Sequence, residues 1–404
     1  MASELSHLTS SLASALSNLP APKKIPDGER MQLLGIINKL QEALEPPQLP
    51  LQRFCFSHYG IAVIRIAQGM GIFEAFIESQ GQEIPLEELS SKILHEEPAN
   101  DVAERIMRFL STQNIFKQTT SGSYKPLPLA MVLGNGSPPG DMIKHLWEFP
   151  VILMVTAKLF DYFERNDYKS PDDSNHAPFQ LAYNTDSHYF EWLSQNSDKQ
   201  QVFNSVMTQS QQYRGEDWFE IYPVEERLRA SPDQVLLVDI GGGVGHDITA
   251  FQKRFPSLPG RLILQDLPQV INTIKEPLPE GIAAIGHNMF DKQPIDGALA
   301  YYMRTVLHDF PDKQALDALA RIRDAMTEDS VLLIHEHTMP DGPDVPSIAA
   351  TLDIHMMEMF ASLERTENEW VALLTTAGLR VVNVWNEDSF GQSTALFEAR
   401  LNRV

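Results

Sequence analysis

Apolar and polar positions follow two rhythms along this 404-residue chain, helical in its first part and strand-like in its last. Leu5, Leu8, Leu12, Leu16 and Leu19 recur at helical spacing, and Pro20-Ala-Pro22 and the segment Pro46 to Pro50 punctuate that stretch. Ile61 to Phe76 is helical and apolar. Pro85-Leu-Glu-Glu-Leu-Ser90 starts another helix, and Asn100 to Ser111 forms a third with Val102, Ile106 and Leu110 on one face. Ile115 to Lys125 reads as a hairpin around Ser121-Gly-Ser123. Three helices and a wing predict a winged-helix layout. Residues 136–230 are helical and rich in aromatic residues, among them Trp147, Phe160, Phe203 and Trp218, which reads mainly as core. The predicted organisation is an arm over 1–50, a winged-helix-like domain over 51–135, a helical connector over 136–230 and a catalytic domain over 231–404.

The last segment carries the clearest signal. Val235-Leu-Leu-Val238 runs into Asp239 and then Gly241-Gly-Gly-Val-Gly245, followed by a helix-compatible stretch from Asp247 to Phe255. A buried parallel strand, a tight turn and a helix N-terminus form the place where open α/β sheets hold nucleotides. A dinucleotide fingerprint needs glycines at i, i+2 and i+5; from Gly241 the third place is His246 and from Gly243 it is Ile248. That pattern fails, and Asp239-x-Gly241-x-Gly243-x-Gly245 remains. Arg261-Leu-Ile-Leu-Gln-Asp266 is a second strand ending in an acid, about 20 residues on, where a carboxylate reaches a cofactor ribose. Further strands end near Asn288, His308 and Glu336, and the helical stretch Lys313 to Met326 lies between the last two. Alternation of this kind predicts a doubly wound sheet whose ligand-facing residues sit at the carboxyl ends of the strands. Arg380 to Trp385 and Ser393 to Arg400 read as two final strands joined at Gly391.

These motifs resemble those of the S-adenosylmethionine-dependent O-methyltransferases of the plant caffeic acid and flavonoid type, and most closely their fungal secondary-metabolite members. The resemblance runs from Ile61 to the C-terminus. It rests on Val238-Asp-Ile-Gly-Gly-Gly-Val-Gly245, Asp266-Leu-Pro268, Asn288-Met-Phe290, Met303-Arg-Thr-Val-Leu-His-Asp309, Glu336 and Glu364-Arg-Thr366, with Pro178 to Asn184 and Phe203 to Met207. It implies a Rossmann-like α/β domain with an antiparallel last strand, preceded by an α-helical winged-helix dimerisation domain. It also implies S-adenosylmethionine held by Asp239, Gly241, Gly243, Gly245, Asp266, Leu267, Asn288, Met289 and Arg304. His308 is implied as the base, with Glu336 and Glu364 as candidates to orient it. Phe203, Met207 and Asp309 are implied at the substrate, and Met356, Met357 and Phe360, at i, i+1 and i+4 on a later helix, read as a further apolar surface for a flat ligand. The chain departs from the family at Asn288, where Asp is common, and at Arg304, where Lys is common; a planar fork replaces a point charge there.

The chemistry agrees with that assignment. A phenol with a pKa of about 10 is protonated at neutral pH, so a base must take its proton as the new bond forms. A carboxylate on the far ring nitrogen keeps the imidazole in the productive tautomer. His335 and His337 alternate with Glu336 and point away from it. Metal is not required, and His355 reads as a satisfied polar residue.

Composition narrows the partners. The excess of 54 acids over 32 bases gives a net charge of −22, which repels nucleic acid and anionic membranes, and acids flank the would-be recognition helix at Glu97, Asp101 and Glu104. A regulatory DNA-binding module is therefore disfavoured. The single Cys55 excludes an intrachain disulfide and is expected to be a buried or half-buried thiol. No apolar run reaches the ~18 residues of a membrane span, and no basic, apolar leader opens the chain, so a cytoplasmic homodimer is expected. The expected function is methyl transfer to a phenolic or polyketide-type hydroxyl. The alternative keeps the fold and uses S-adenosylmethionine as a fixed positive charge for a pericyclic or dehydration step; the presence of His308 argues against it.

Overall fold

The computed structural model describes residues 2–20, 24–93, 100–147, 151–212, 216–274, 276–342, 345–389 and 392–402. The expected turn residue Gly391 and the acid Glu97 lie outside them. Contacts divide the chain into two units, Met1–Ala62 and Val63–Val404. In the first, helices span Ala2–Ser17, Asp27–Leu44 and Gln48–Phe56. The leucine stripe of the opening helix is exposed at Leu5, Leu8, Leu12 and Leu16. Cys55 is exposed as well, which corrects the buried thiol expected for it. No residue of its short helix is buried, so no apolar environment forms around the sulfur.

The second unit begins with helices Ile72–Glu78, Leu86–Ile93 and Asn100–Thr112. The helical run expected from Ile61 to Phe76 is interrupted at Gly71, whose φ of 74° is left-handed backbone that glycine adopts freely. Three short strands follow in space: β1 (Ile84–Pro85), β2 (Phe116–Gln118) and β3 (Ser123–Pro126), ordered β1-β3-β2 and antiparallel. Phe73, Phe76, Met107, Leu110, Phe116 and Tyr124 close the core beneath them.

The larger sheet has seven strands: β4 (Val235–Ile240), β5 (Arg261–Asp266), β6 (Ile282–Gly286), β7 (Ala300–Arg304), β8 (Val331–Thr338), β9 (Leu379–Ser389) and β10 (Gln392–Leu401). Their order is β6-β5-β4-β7-β8-β10-β9. The first five are parallel to one another, while β10 runs antiparallel to both β8 and β9. The first four residues of β4 and of β8 are apolar on both faces because both faces are covered. Helices Asp312–Ala325 and Glu367–Thr376 cover one face through Leu319, Ile322, Trp370 and Leu373. Helix His246–Arg254 covers the other with Ile248 and Phe251. The order reverses at β4, so the crevice at the carboxyl ends of β4 and β7 is where this fold leaves room for a ligand.

Trp218 ties the helical connector to that sheet. Its ring lies 5.3 Å from Phe251 at an interplanar angle of 5° and 4.8 Å from Tyr302, and it is 1% exposed. Trp218→Ala is expected to cost about 3–5 kcal/mol. Urea denaturation should show a lower midpoint with an unchanged slope.

Candidate functional site

Asp239, one residue before the end of β4, is 2% exposed beneath the glycine loop. Gly241, Gly243 and Gly245 have φ of 71°, 61° and 87°, left-handed values that exclude most side chains. Crowding adds to this: a Cβ at Gly242 would lie 2.5 Å from Asp239 Oδ2, and one at Gly241 would lie 2.7 Å from Val306 Cγ2. Around Gly243 nothing lies within 4 Å of such a Cβ, so this backbone opens onto free space. Gly245 precedes helix His246–Arg254 and lies outside the cavity wall.

At the end of β5, Asp266 Oδ2 accepts the Gly243 N–H at 2.7 Å and its Oδ1 accepts the Leu267 N–H at 2.7 Å. Burial pushes the carboxyl above its ordinary value, and these two N–H groups oppose that shift. Each oxygen keeps a further lone pair. Asn288 Oδ1 accepts the Phe290 N–H at 3.1 Å. Arg304 Nη1 stands 3.6 Å from Asp247 Oδ2, which also accepts the Tyr302 hydroxyl at 3.1 Å. An open glycine backbone beside a half-buried carboxylate and an amide suits a nucleoside with its ribose diol.

Between β7 and helix Asp312–Ala325, the 3-10 turn Leu307–Asp309 carries His308. Thr305 enters this turn with φ of 47°, a strained value for a β-branched residue that costs about 1–3 kcal/mol. Its N–H donates to His335 O at 3.0 Å. Glu336, fully buried, accepts the N–H groups of Val306 at 2.9 Å and Leu307 at 2.8 Å on Oε1. Glu336 therefore holds the backbone of the turn and not the imidazole, which leaves Glu364 of the two candidates to orient the ring. Glu364 meets the ring instead, with Oε1 3.1 Å from His308 Nδ1. Asp309 Oδ1 lies 3.7 Å from His308 Nε2.

Burial opposes charge on His308, but Asp309, the hydrogen bond with Glu364 and the nearby Glu336 outweigh it and push the imidazole up to about 10. Burial lifts Asp309 to about 6 and Glu336 to about 7. Glu364 is held below its ordinary value; burial works against this, and the hydrogen bond from His308 prevails. Such a turn stabilises the imidazolium that proton uptake creates.

A cavity of ≈ 1220 Å³ joins the two halves. Gly241, Gly243, Asp239, Asp266, Leu267, Asn288, Met289 and Arg304 line it, as do Phe203, Met207 and Asp309. His308 lies just behind Val306 and Asp309 with its side chain 12% exposed, and Glu336 and Glu364 are deeper. Met356 and Phe360, expected at the substrate, do not line the cavity. They pack with Phe179, Tyr189 and Leu193, because the connector covers that face of helix Ser347–Phe360.

The cavity wall also has members that the sequence reading missed or set aside. His335 and His337 both face it, since alternation along β8 turns them opposite to Glu336. His188 stacks on Phe310 at 5.4 Å and 9°, and its Nδ1 accepts the Phe190 N–H at 3.3 Å. Burial pushes His188 down to about 4, so it is neutral near pH 7. It sits in an irregular approach to a six-residue helix, where neither periodicity nor motif marks it.

Residues 166–380 match the family model of the O-methyltransferase domain. Demethylsterigmatocystin 6-O-methyltransferase of Aspergillus flavus is 31% identical over 376 residues, 93% of this chain and 94% of that protein. A solved pericyclic reaction enzyme superposes with TM-score 0.85 at 27% identity, covering 98% of this chain and 100% of that one. LepI in complex with S-adenosylmethionine gives TM-score 0.84 at 27% identity, covering 100% of each chain. With the family match over more than half of the sequence and a curated relative aligned along nearly all of it, the chain belongs to the S-adenosylmethionine-dependent O-methyltransferases.

Proposed function

We propose that the chain methylates a phenolic hydroxyl of a polyketide-type small molecule, with His308 as general base. The observation that carries this is the turn itself: an imidazole paired with Glu364 and flanked by Asp309, on a turn whose Val306 and Asp309 line the same cavity as the glycine loop. Gly241, Gly243, Asp266, Leu267, Asn288, Met289 and Arg304 would hold the cofactor, with Asp239 and Gly245 shaping the loop. Bound there, S-adenosylmethionine supplies an electrophilic methyl group on a positively charged sulfur, and that charge opposes protonation of a neighbouring imidazole. His308 takes the hydroxyl proton on Nε2 while Glu364 holds Nδ1–H, and Asp309 stabilises the resulting imidazolium. Phe203 and Met207 supply apolar walls for a flat acceptor.

The second reading, catalysis without methyl transfer, is favoured by the structural similarity to a pericyclic reaction enzyme. Mass analysis of products from demethylsterigmatocystin and other phenols separates the two. A gain of one methyl group supports the proposal, and an isomer of unchanged mass supports the second reading.

Homodimerisation is part of the proposal. The exposed apolar residues of Met1–Ala62, among them Leu16, Ile36 and Phe54, suit a partner surface. Among the described residues no single helix is long and apolar enough to cross a membrane, and we place the enzyme in the cytoplasm.

His308→Ala should lower turnover by about 10²–10⁴-fold while leaving S-adenosylhomocysteine affinity unchanged. The rate should rise with pH as the imidazole loses its proton. Glu364→Gln removes a partner that raises the His308 pKa, so the acid limb of kcat should move to lower pH. Steady-state profiles check both, and an unmoved limb would contradict the pairing.

Gly243→Val places a branched side chain at left-handed φ in the cavity wall, and Asp266→Ala removes both a ribose partner and the anchor of the Gly243 N–H. Calorimetry with S-adenosylhomocysteine should show each weakening binding, Asp266→Ala by roughly 1.5–3 kcal/mol.

Light scattering at micromolar concentration should give twice the chain mass of 45.5 kDa. A dimer of this kind buries more than ~2,000 Å², and a monomer would remove that part of the proposal.

A further inference from the structure

Three backbone carbonyls along the turn, those of Leu307, His308 and Phe310, all accept from one short segment, Ser362 to Arg365. Ser362 Oγ donates to His308 O at 2.5 Å. Arg365 Nη1 donates to Leu307 O at 3.3 Å, and Nη2 donates to Phe310 O at 2.8 Å. The same guanidinium reaches Asp312 Oδ1 from Nε at 3.0 Å and from Nη2 at 2.7 Å. It lies 4.7 Å over the Trp370 ring and is 1% exposed. Glu364 sits between Ser362 and Arg365, so the segment that grips the turn also delivers the carboxylate to His308 Nδ1.

From this geometry we infer that Arg365 is a positioning residue for proton removal, fixing the His308–Glu364 pair through the carbonyls on either side of His308. The inference rests on His308 being the base. A planar guanidinium spans two carbonyls and a carboxylate at once, which a single ammonium cannot do. Packing alone requires only bulk over Trp370, and a methionine supplies that. The groups facing His308 are Asp309 on its own turn, Glu336 and His337 from β8, and Glu364 with Arg365 from the clamping segment. Arg365 is among the charges that keep Glu364 ionised against burial, after His308 itself. Losing Arg365 therefore loosens the pair and weakens its carboxylate. Loosening the pair lowers the pH at which the imidazole gives up its proton, and Glu364 remains ionised across that titration.

The test needs no known acceptor. Protein labelled with ¹³C at histidine Cε1 and saturated with S-adenosylhomocysteine is titrated by NMR, the His308 signal being the one missing in His308→Ala. Wild type should titrate above the ordinary histidine range. Arg365→Met should lower the midpoint by about half a unit or more, with Arg365→Lys between the two. Should Arg365→Met fail to fold, Arg365→Lys and Ser362→Ala carry the test, each expected to shift the midpoint in the same direction. Equal midpoints in wild type, Arg365→Lys and Ser362→Ala would overturn the inference. Full turnover by His308→Ala would instead defeat the base assignment, whatever the midpoints show.

Discussion

One oxygen of a fully buried carboxylate, Glu336 Oε1, holds the amide N–H groups of Val306 and Leu307, and the chemistry of the site hangs from that contact. Thr305 just before them sits at a φ of 47°, which a β-branched residue does not adopt unaided. The two charge-assisted hydrogen bonds offset that strain and bend the chain sharply out of β7. Without the bend, residue 308 would continue along the strand direction away from Glu364. Desolvating a carboxylate is costly, and burial lifts Glu336 to about 7. Its neighbour His308 lowers it in return, so the buried acid and the buried imidazole depend on one another for their charge.

The glycine loop is held by a comparable device. Asp266 takes the Gly243 N–H and the Leu267 N–H on its two oxygens, fixing the end of β5 to the loop after β4. Both halves of the site thus consist of an irregular turn at a strand end, pinned by an acid on a neighbouring strand, half-buried at Asp266 and fully buried at Glu336. The parallel sheet supplies the rigid spacing, and the acids supply the precision that loops lack.

Much of this was legible beforehand because sheets write themselves plainly. Strands β4, β5 and β8 are apolar runs ending in acids, and the failed dinucleotide spacing at His246 and Ile248 left one glycine pattern. The ends of helix Asp312–Ala325 were read within a residue, whereas β9 runs to Ser389, four residues past the expected Trp385. What the pattern did not reveal was direction within the site. Glu336 and Glu364 were equivalent candidates to orient His308, and only the fold separates the one that holds amides from the one that holds the imidazole. Met356 and Phe360 had the spacing of a substrate wall, yet Phe179 and Tyr189 of the connector occupy that face. His188 reaches the cavity by a tertiary contact with Phe310, and no local periodicity encodes such a contact.

The near approach of Gly241 to Val306 has an evolutionary side. A methyl group at 241 would come within 2.7 Å of a valine methyl on the turn. The glycine loop and the turn that carries His308 are therefore sterically interlocked, and positions 241 and 306 cannot drift independently. A descendant that enlarges one must shrink the other, so substitutions at these two positions, 65 residues apart in the chain, should be inherited as a pair.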